Sequence, residues 1–357
     1  MSDDAFRNIE TLVPPLLRSL ETLGLIARHL NPPELADLLE TIGAPDEQLR
    51  AARSSAAPWP EAFSALGERL DTACDESLAA FAGLREFATD PGGLTEIFRA
   101  LRHTPRALEA LYPLAALLPP VNRFFLDQER RKDAEFQKRF NTPPAGDTGI
   151  IQFGDDPSAR ETVWAYVPET YSPDVAHPLV VCLHGGAGRG RGFIWSWVRD
   201  ARSRGVIVVA PTSLGQTWAI QGEDIDSPHL AHIIAFVREK WNIDAKRMLL
   251  TGMSDGGTFS YVSGLDAGSP FTHLAPVAAA FHPMLVQMAD GERLRGLPIH
   301  IVHGAFDWMF PVSMAREAEQ YFKTAGAAVT YREVEDLAHT YPTEMNAAIL
   351  DWLMRSP

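Results

Sequence analysis

At 357 residues the chain is long for one domain, and one large domain beside a smaller one is the expected plan. Its 46% hydrophobic and 22% charged residues are those of an ordinary globular protein. The net charge of −14 argues against nucleic acid or an anionic membrane as partner, because both require a basic face. The acidic start, Met1-Ser-Asp-Asp-Ala-Phe-Arg7, lacks the apolar core of a signal peptide. The longest apolar stretch, Leu111 to Leu126, is broken by Pro113, Pro119 and Pro120, so no membrane span is expected. Cys74 and Cys182 lie far apart and read as buried, reduced thiols. The expected location is the cytoplasm.

Residues 1–140 carry only helical grammar: Leu, Ala, Glu and Arg dominate, and apolar residues recur at three- and four-residue spacing. Breaks at Asn31-Pro-Pro33, Pro58-Trp-Pro60, Asp90-Pro91 and Pro119-Pro120 divide the region into five or six helices. Phe63, Leu66, Leu70, Cys74, Leu78, Phe81 and Leu84 form one inward stripe, and the last helix spans Val121 to Phe140. Residues 141–149 read as a linker on account of Asn141-Thr-Pro-Pro-Ala-Gly-Asp147.

From residue 150 to 357 strands and helices alternate. Ile150–Phe153 and Thr162–Val167 read as an antiparallel pair. Leu179–Leu183, Val206–Val209, Met248–Thr251, Val277–Ala280, Ile299–Val302 and Val329–Glu333 are the short apolar runs of a central sheet. Helices are expected at about 192–203, 228–241, 256–264, 312–324 and 342–354. This alternation implies a doubly wound, mostly parallel sheet with its ligand site at the carboxyl ends of the strands.

The chemistry lies in Gly252-Met-Ser-Asp-Gly256, a G-x-S-x-G that follows an apolar strand and opens a helix. Such a turn strains its central residue and lifts the Ser254 hydroxyl clear of the backbone. A serine hydroxyl needs a base, and the base needs an acid to orient it. On this kind of sheet the order is serine, acid, histidine. Ile299-His-Ile-Val-His-Gly-Ala-Phe-Asp307 puts Asp307 just past a strand end, and Asp336-Leu-Ala-His339 puts His339 in the loop after the next strand. An imidazole, with an ordinary pKa of about 6.5, suits proton transfer near neutral pH.

The other candidates fit less well. His300 lies within its strand, His184 and His303 precede glycines at strand ends, and His282 comes before Asp307 in the chain. Asp290 and Asp336 follow no strand in the required place. The oxyanion hole is expected from the N–H of Asp255 and, in Leu183-His-Gly-Gly186, from Gly186, with Ala187 next. The glycine-rich loop 185–190 fits neither the dinucleotide nor the P-loop pattern. Trp218, Trp308, Met309 and Tyr341 fall in loops near strand ends, where they would either line an apolar acyl pocket or serve as ordinary core or rim side chains.

With these four pieces in place, residues 150–355 resemble an α/β-hydrolase. The resemblance is to the esterase branch that holds polyhydroxybutyrate depolymerase-like and feruloyl esterase-like enzymes and the phospholipase/carboxylesterase group. It implies a serine carboxylesterase that forms an acyl-enzyme on Ser254 and takes a small-molecule ester without metal or cofactor. The same triad also serves thioesterases, peptidases and acyltransferases, and a non-enzymatic partner-binding role is the more distant alternative. The helical N-terminal domain is expected to act as a cap over the active site, to mediate homo-oligomerisation, or to dock a partner.

Overall fold

The structure, a computed structural model, describes residues 3–90, 93–140 and 146–355. The chain divides into two compact units, Met1–Pro144 and Ala145–Pro357. Pro91 of the expected Asp90-Pro91 break and residues 141–145 of the expected linker lie outside the described residues.

The first unit is helical throughout its described residues. Its α-helices are α1 (Asp3–Arg28), α2 (Leu35–Ile42), α3 (Glu47–Ser55), α4 (Ser64–Thr89), α5 (Leu94–Leu101), α6 (His103–Leu111), α7 (Pro119–Phe124) and α8 (Ala134–Lys138). Helix α1 buries Leu12, Leu16, Leu20 and Leu23, the spacing that keeps side chains on one face. On α4 the buried stripe includes Leu70, Cys74, Phe81 and Leu84, whereas Phe63, Leu66 and Leu78 are only half-buried. The helix is rotated towards its small residues. A Cβ on Gly67 would lie 2.3 Å from the Trp59 ring, and one on Gly83 would lie 2.8 Å from Ala100 Cβ. Small residues let neighbouring groups approach closely, and this outweighs the larger apolar side chains alongside.

The expected helix from Val121 to Phe140 is interrupted. Asp127 Oδ1 accepts the Arg130 N–H in a turn, and Asp133 Oδ1 accepts the Phe136 N–H to cap α8 afresh. Eight α-helices among the described residues therefore replace the expected five or six.

The second unit is built on one eight-stranded sheet: β1 (Gly149–Phe153), β2 (Val163–Val167), β3 (His177–Leu183), β4 (Ile207–Ala210), β5 (Ile243–Met253), β6 (His273–Val277), β7 (Pro298–Gly304) and β8 (Ala328–Val334). The spatial order is β1-β2-β4-β3-β5-β6-β7-β8. Strand β2 runs antiparallel to β1 and β4, and all other pairs are parallel. The order reverses at β3, which has β4 on one side and β5 on the other, so a crevice opens at the carboxyl ends of β3 and β5. Strands β2, β3 and β4 are buried along their whole length, as apolar runs covered on both faces must be. Residues 146–149 join this unit: the Trp241 Nε1–H donates to the Asp147 carbonyl at 3.3 Å.

Two elements depart from the sequence expectation. The sixth strand is His273–Val277, four residues ahead of the expected Val277–Ala280. Its ladder to β7 holds at Leu274 and Val277, and Pro276 between them has no N–H to give. Ala278 then turns to φ 46 and ends the strand. The expected helix 192–203 is two pieces, α9 (Gly190–Phe193) and α10 (Val198–Arg204), joined by a 3₁₀ turn. The remaining helices are α11 (Asp226–Lys240), α12 (Asp255–Gly264), α13 (Met284–Met288), α14 (Gly291–Leu294), α15 (Val312–Thr324) and α16 (Met345–Arg355). Short α13 and α14 carried no recognisable period. Among the described residues, no helix is long and apolar enough to cross a membrane.

Candidate active site

Leu183 is paired with Gly252 across β3 and β5, so the two following loops leave the sheet side by side. Between β5 and α12, Ser254 sits at φ 55 and ψ −117, a backbone conformation that L-residues rarely adopt. The flanking glycines allow it. A Cβ on Gly252 would meet the Gly256 carbonyl carbon at 2.5 Å, and one on Gly256 would meet the Leu183 oxygen at 2.4 Å. The serine is 7% exposed, just beyond the carboxyl end of β5.

Ser254 Oγ lies 2.9 Å from His339 Nε2, and His339 Nδ1 lies 2.8 Å from Asp307 Oδ2. Asp307 lies just past β7 and His339 in the loop after β8; neighbouring backbones hold the two loops together, with Ala305 N–H donating to Val334 O at 2.9 Å and Phe306 N–H to Leu337 O at 3.0 Å. Burial alone would raise the Asp307 carboxyl pKa. The hydrogen bond from His339 and the N–H of Phe310 overcome it and hold the pKa below the ordinary carboxylate value. The carboxylate therefore stays ionised and accepts, which puts the imidazole proton on Nδ1 and leaves the Nε2 lone pair facing the serine hydroxyl. Oδ1 of the same carboxylate accepts the N–H groups of Met309 and Phe310 at 2.9 and 2.7 Å. His303 Nε2–H donates to the Phe310 carbonyl at 2.8 Å and fastens the other end of that turn.

The loop after β3 is built as tightly. The Gly188 N–H donates to Gly185 O at 3.0 Å, and Ala187 at φ 54 occupies a turn position that usually takes glycine. Gly185 packs against Ser254, and a Cβ on Gly186 would lie 2.9 Å from Asp255 Oδ2. That carboxylate accepts the Thr217 hydroxyl at 2.5 Å. The backbone N–H of Asp255 heads α12 and has no acceptor within the helix. His184 supports the loop: Nδ1–H donates to Gly185 O at 2.7 Å, and Nε2 accepts the Ser213 N–H at 3.1 Å. Burial pushes its pKa down to about 4, so the ring is neutral, as both bonds require.

The four expected pocket residues divide. Trp308 and Met309 are each 42% exposed on the Asp307 loop. Trp218 is 2% exposed; its Nε1–H donates to the His184 carbonyl at 2.8 Å and its ring stacks on Phe259, so it backs the β3 loop from below. Tyr341 donates its hydroxyl to Asn346 Oδ1 at 2.8 Å and lays its ring against Phe193 and Trp197. Sequence reasoning missed Thr217, Phe306, Phe310 and Asp226, whose buried carboxylate accepts the N–H groups of Leu214 and Ala219, both at 2.8 Å. The four large apolar residues packed into Ala305-Phe-Asp-Trp-Met-Phe310 were a signal for two of them, since loops are ordinarily polar.

His300 is buried in its strand with its ring edge-on to Trp352, and burial takes its pKa down to about 4. Asp290 caps α14, and His282 is exposed. Both cysteines are buried and free. Among the described residues no cluster of three or more His, Cys, Asp or Glu could hold a metal. A groove of about 770 Å³ on the helical unit, lined in part by Leu17, Arg18, Glu21, Arg123 and Phe124, holds neither a histidine nor a cysteine.

Residues 221–356 match the phospholipase/carboxylesterase family, a stretch that holds Ser254, Asp307 and His339. With the sheet order and the strained serine turn, this decides the fold class. The C-terminal unit has an α/β-hydrolase-like fold. The chain is 29% identical over 213 residues to a bifunctional acetylxylan esterase/xylanase of Neocallimastix patriciarum, covering 57% of this chain and 30% of that protein. It thus spans about a third of the length of the curated relative it matches. Among solved structures, a thermostable esterase is 25% identical, with 57% of this chain and 62% of the other covered and a TM-score of 0.46. A truncated carbohydrate esterase from gut microbiota is 16% identical, with 59% and 98% covered and a TM-score of 0.48.

Proposed function

We propose that the hydrolase unit is a serine carboxylesterase acting through an acyl-enzyme on Ser254. One observation carries the reading: an unbroken relay of 2.9 and 2.8 Å from a strained serine through His339 to the Asp307 carboxylate. Ser254 Oγ attacks the ester carbonyl carbon while its proton passes to His339 Nε2. Asp307 holds the Nδ1–H and stabilises the imidazolium. The oxyanion accepts hydrogen bonds from the N–H groups of Asp255 and Gly186. As the intermediate collapses, the proton on Nε2 goes to the departing alkoxide oxygen. Water then gives its proton to Nε2, its oxygen bonds to the acyl carbon, and the acid leaves as Ser254 regains the proton.

The acetylxylan esterase activity named for the matched relative puts acetyl esters of carbohydrates first among the substrates to assay. Turnover of p-nitrophenyl acetate by the wild type and its loss in Ser254→Ala is the expected result; equal turnover by both would overturn the reading. Residues 1–140 are assigned a role outside the chemistry, either limiting access or assembling copies. Comparing full-length protein with residues 146–357 separates the two: a changed acyl-length preference marks access, and a changed mass marks assembly.

A further inference from the structure

The loop that carries Asp307 exposes three large apolar side chains. Phe306 is 69% exposed, and Trp308 and Met309 are 42% exposed. Leaving such groups in water gives up the burial that folding normally exploits, and a cluster of them marks a binding surface. Its one charged residue, Asp307, is turned inward with a fully buried side chain, so the loop presents no charge to solvent. Its backbone is pinned by the bonds that Asp307, His303, Val334 and Leu337 make with it. The surface is therefore held ready before any ligand arrives.

Its position relative to the proton path gives it a role. The Trp308 ring meets the His339 ring edge-on, with centroids 5.8 Å apart and an interplanar angle of 67°. Phe310, half-buried, braces the same imidazole at 5.3 Å. In ester cleavage the departing oxygen must come within hydrogen-bond reach of Nε2 to take its proton. The group attached to that oxygen consequently extends over whatever borders the imidazole. The β3 loop, by contrast, borders Ser254 and Asp255.

We propose that Phe306, Trp308 and Met309 form the subsite for the leaving alcohol, selecting an uncharged alcohol with an apolar or ring-shaped face. The inference rests on the esterase reading above. It assigns these residues to the alcohol side, where sequence reasoning put Trp308 and Met309 in the acyl pocket.

The test uses full-length protein and acetates of ethanol, cyclohexylmethanol and 2-phenylethanol, alcohols of similar acidity. The wild type is expected to prefer the ring-bearing alcohols over ethanol. Phe306→Ser and Trp308→Ala should each lower that preference about tenfold, the effect of losing one good aromatic contact, and mainly through KM. Phe306 makes no ring contact among the described residues, so its variant avoids disturbing His339 and keeps the test independent of the Trp308 change. The acyl-length profile measured with ethyl esters should keep its shape in both. An unchanged alcohol preference, or a shift in the acyl profile instead, overturns the subsite. So does a defect confined to micellar substrates or a loss of dimer mass, either of which would give the patch to a lipid surface or a second copy. If Ser254→Ala still hydrolysed these acetates, the esterase reading itself would fall.

Discussion

The two units use their polar groups in different ways. In the helical unit, charged side chains pin helices to one another. Asp46, fully buried, takes Arg85 of α4 as well as Arg50, and Arg53 of α3 reaches Asp71 and Asp75 of α4. Burial opposes ionisation of Asp46, yet the Arg85 bond holds its pKa below the ordinary value. In the hydrolase unit the polar groups converge on strand ends, where buried carboxylates and imidazoles tie loop backbones in place. The strain follows the same division. Among the described residues the three non-glycine positions with positive φ, Ala187, Ser254 and Ala278, all lie just beyond the carboxyl ends of β3, β5 and β6. Backbone strain persists only where its surroundings over-determine it, and such places are commonly functional. One unit is organised to hold a shape and the other to present a hydroxyl.

That contrast can be broken from the hydrolase side first. Asp307→Asn should lower kcat by about 10³–10⁴ with little change in KM, the scale seen when a triad acid is lost, because the amide leaves His339 in the wrong tautomer. Steady-state kinetics on p-nitrophenyl acetate checks this, and unchanged kcat would move the acid elsewhere. Gly186→Ala should lower kcat by about 10²-fold while the melting temperature holds, since a methyl group 2.9 Å from Asp255 Oδ2 pushes one of the two proposed oxyanion donors out of place. Equal activity in that variant would assign the second donor to Ala187.

A change in the helical unit should do the opposite. Arg85→Met leaves the buried Asp46 with Arg50 alone, and should destabilise that unit by about 2–4 kcal/mol in a denaturant titration. Turnover of a two-carbon ester should stay within about twofold of wild type, because one side-chain pair is far smaller than a covalent step. A parallel fall in kcat would show that the helical unit shares in the chemistry.

The smallest effect concerns pH. Burial lowers the pKa of His184, His273 and His300 to about 4 from 6.5. Unfolding lets each ring take up a proton at the higher value, so the stability they confer is fully present above about pH 6.5. It erodes as pH falls towards about 4, by on the order of 1–3 kcal/mol per ring. Thermal melts of the hydrolase unit across that window should show the loss, and a flat profile would contradict it.

Much of this was legible in the sequence, for a physical reason. Strands β2, β3 and β4 announce themselves as apolar runs, because strands covered on both faces have no use for polar residues, whereas β8 alternates exposed and half-buried residues and reads by its β-branched and aromatic content. Strand β6 was misplaced because His273 and Pro276 interrupt its apolar run, and its burial depends on neighbours that the sequence does not name. Ser254, His339 and Asp307 could be read because each follows a strand in a fixed order. Trp218 and Tyr341 could not: an indole or phenol in a loop suits a pocket or a core equally well, and only tertiary partners such as the His184 carbonyl and Asn346 decide. Phe306 was hidden by its place beside a more conspicuous aspartate.

The central claim, that Ser254 is the nucleophile, is tested most directly by covalent capture. Wild-type protein and Ser254→Ala are each treated with a fluorophosphonate, digested and examined by mass spectrometry. The account predicts one adduct on wild type, on the peptide containing Gly252-Met-Ser-Asp-Gly256, and none on the variant. The substitution removes one hydroxyl and its single hydrogen bond to His339, so the melting temperature should change little. An adduct of equal yield on a folded Ser254→Ala protein would contradict the account.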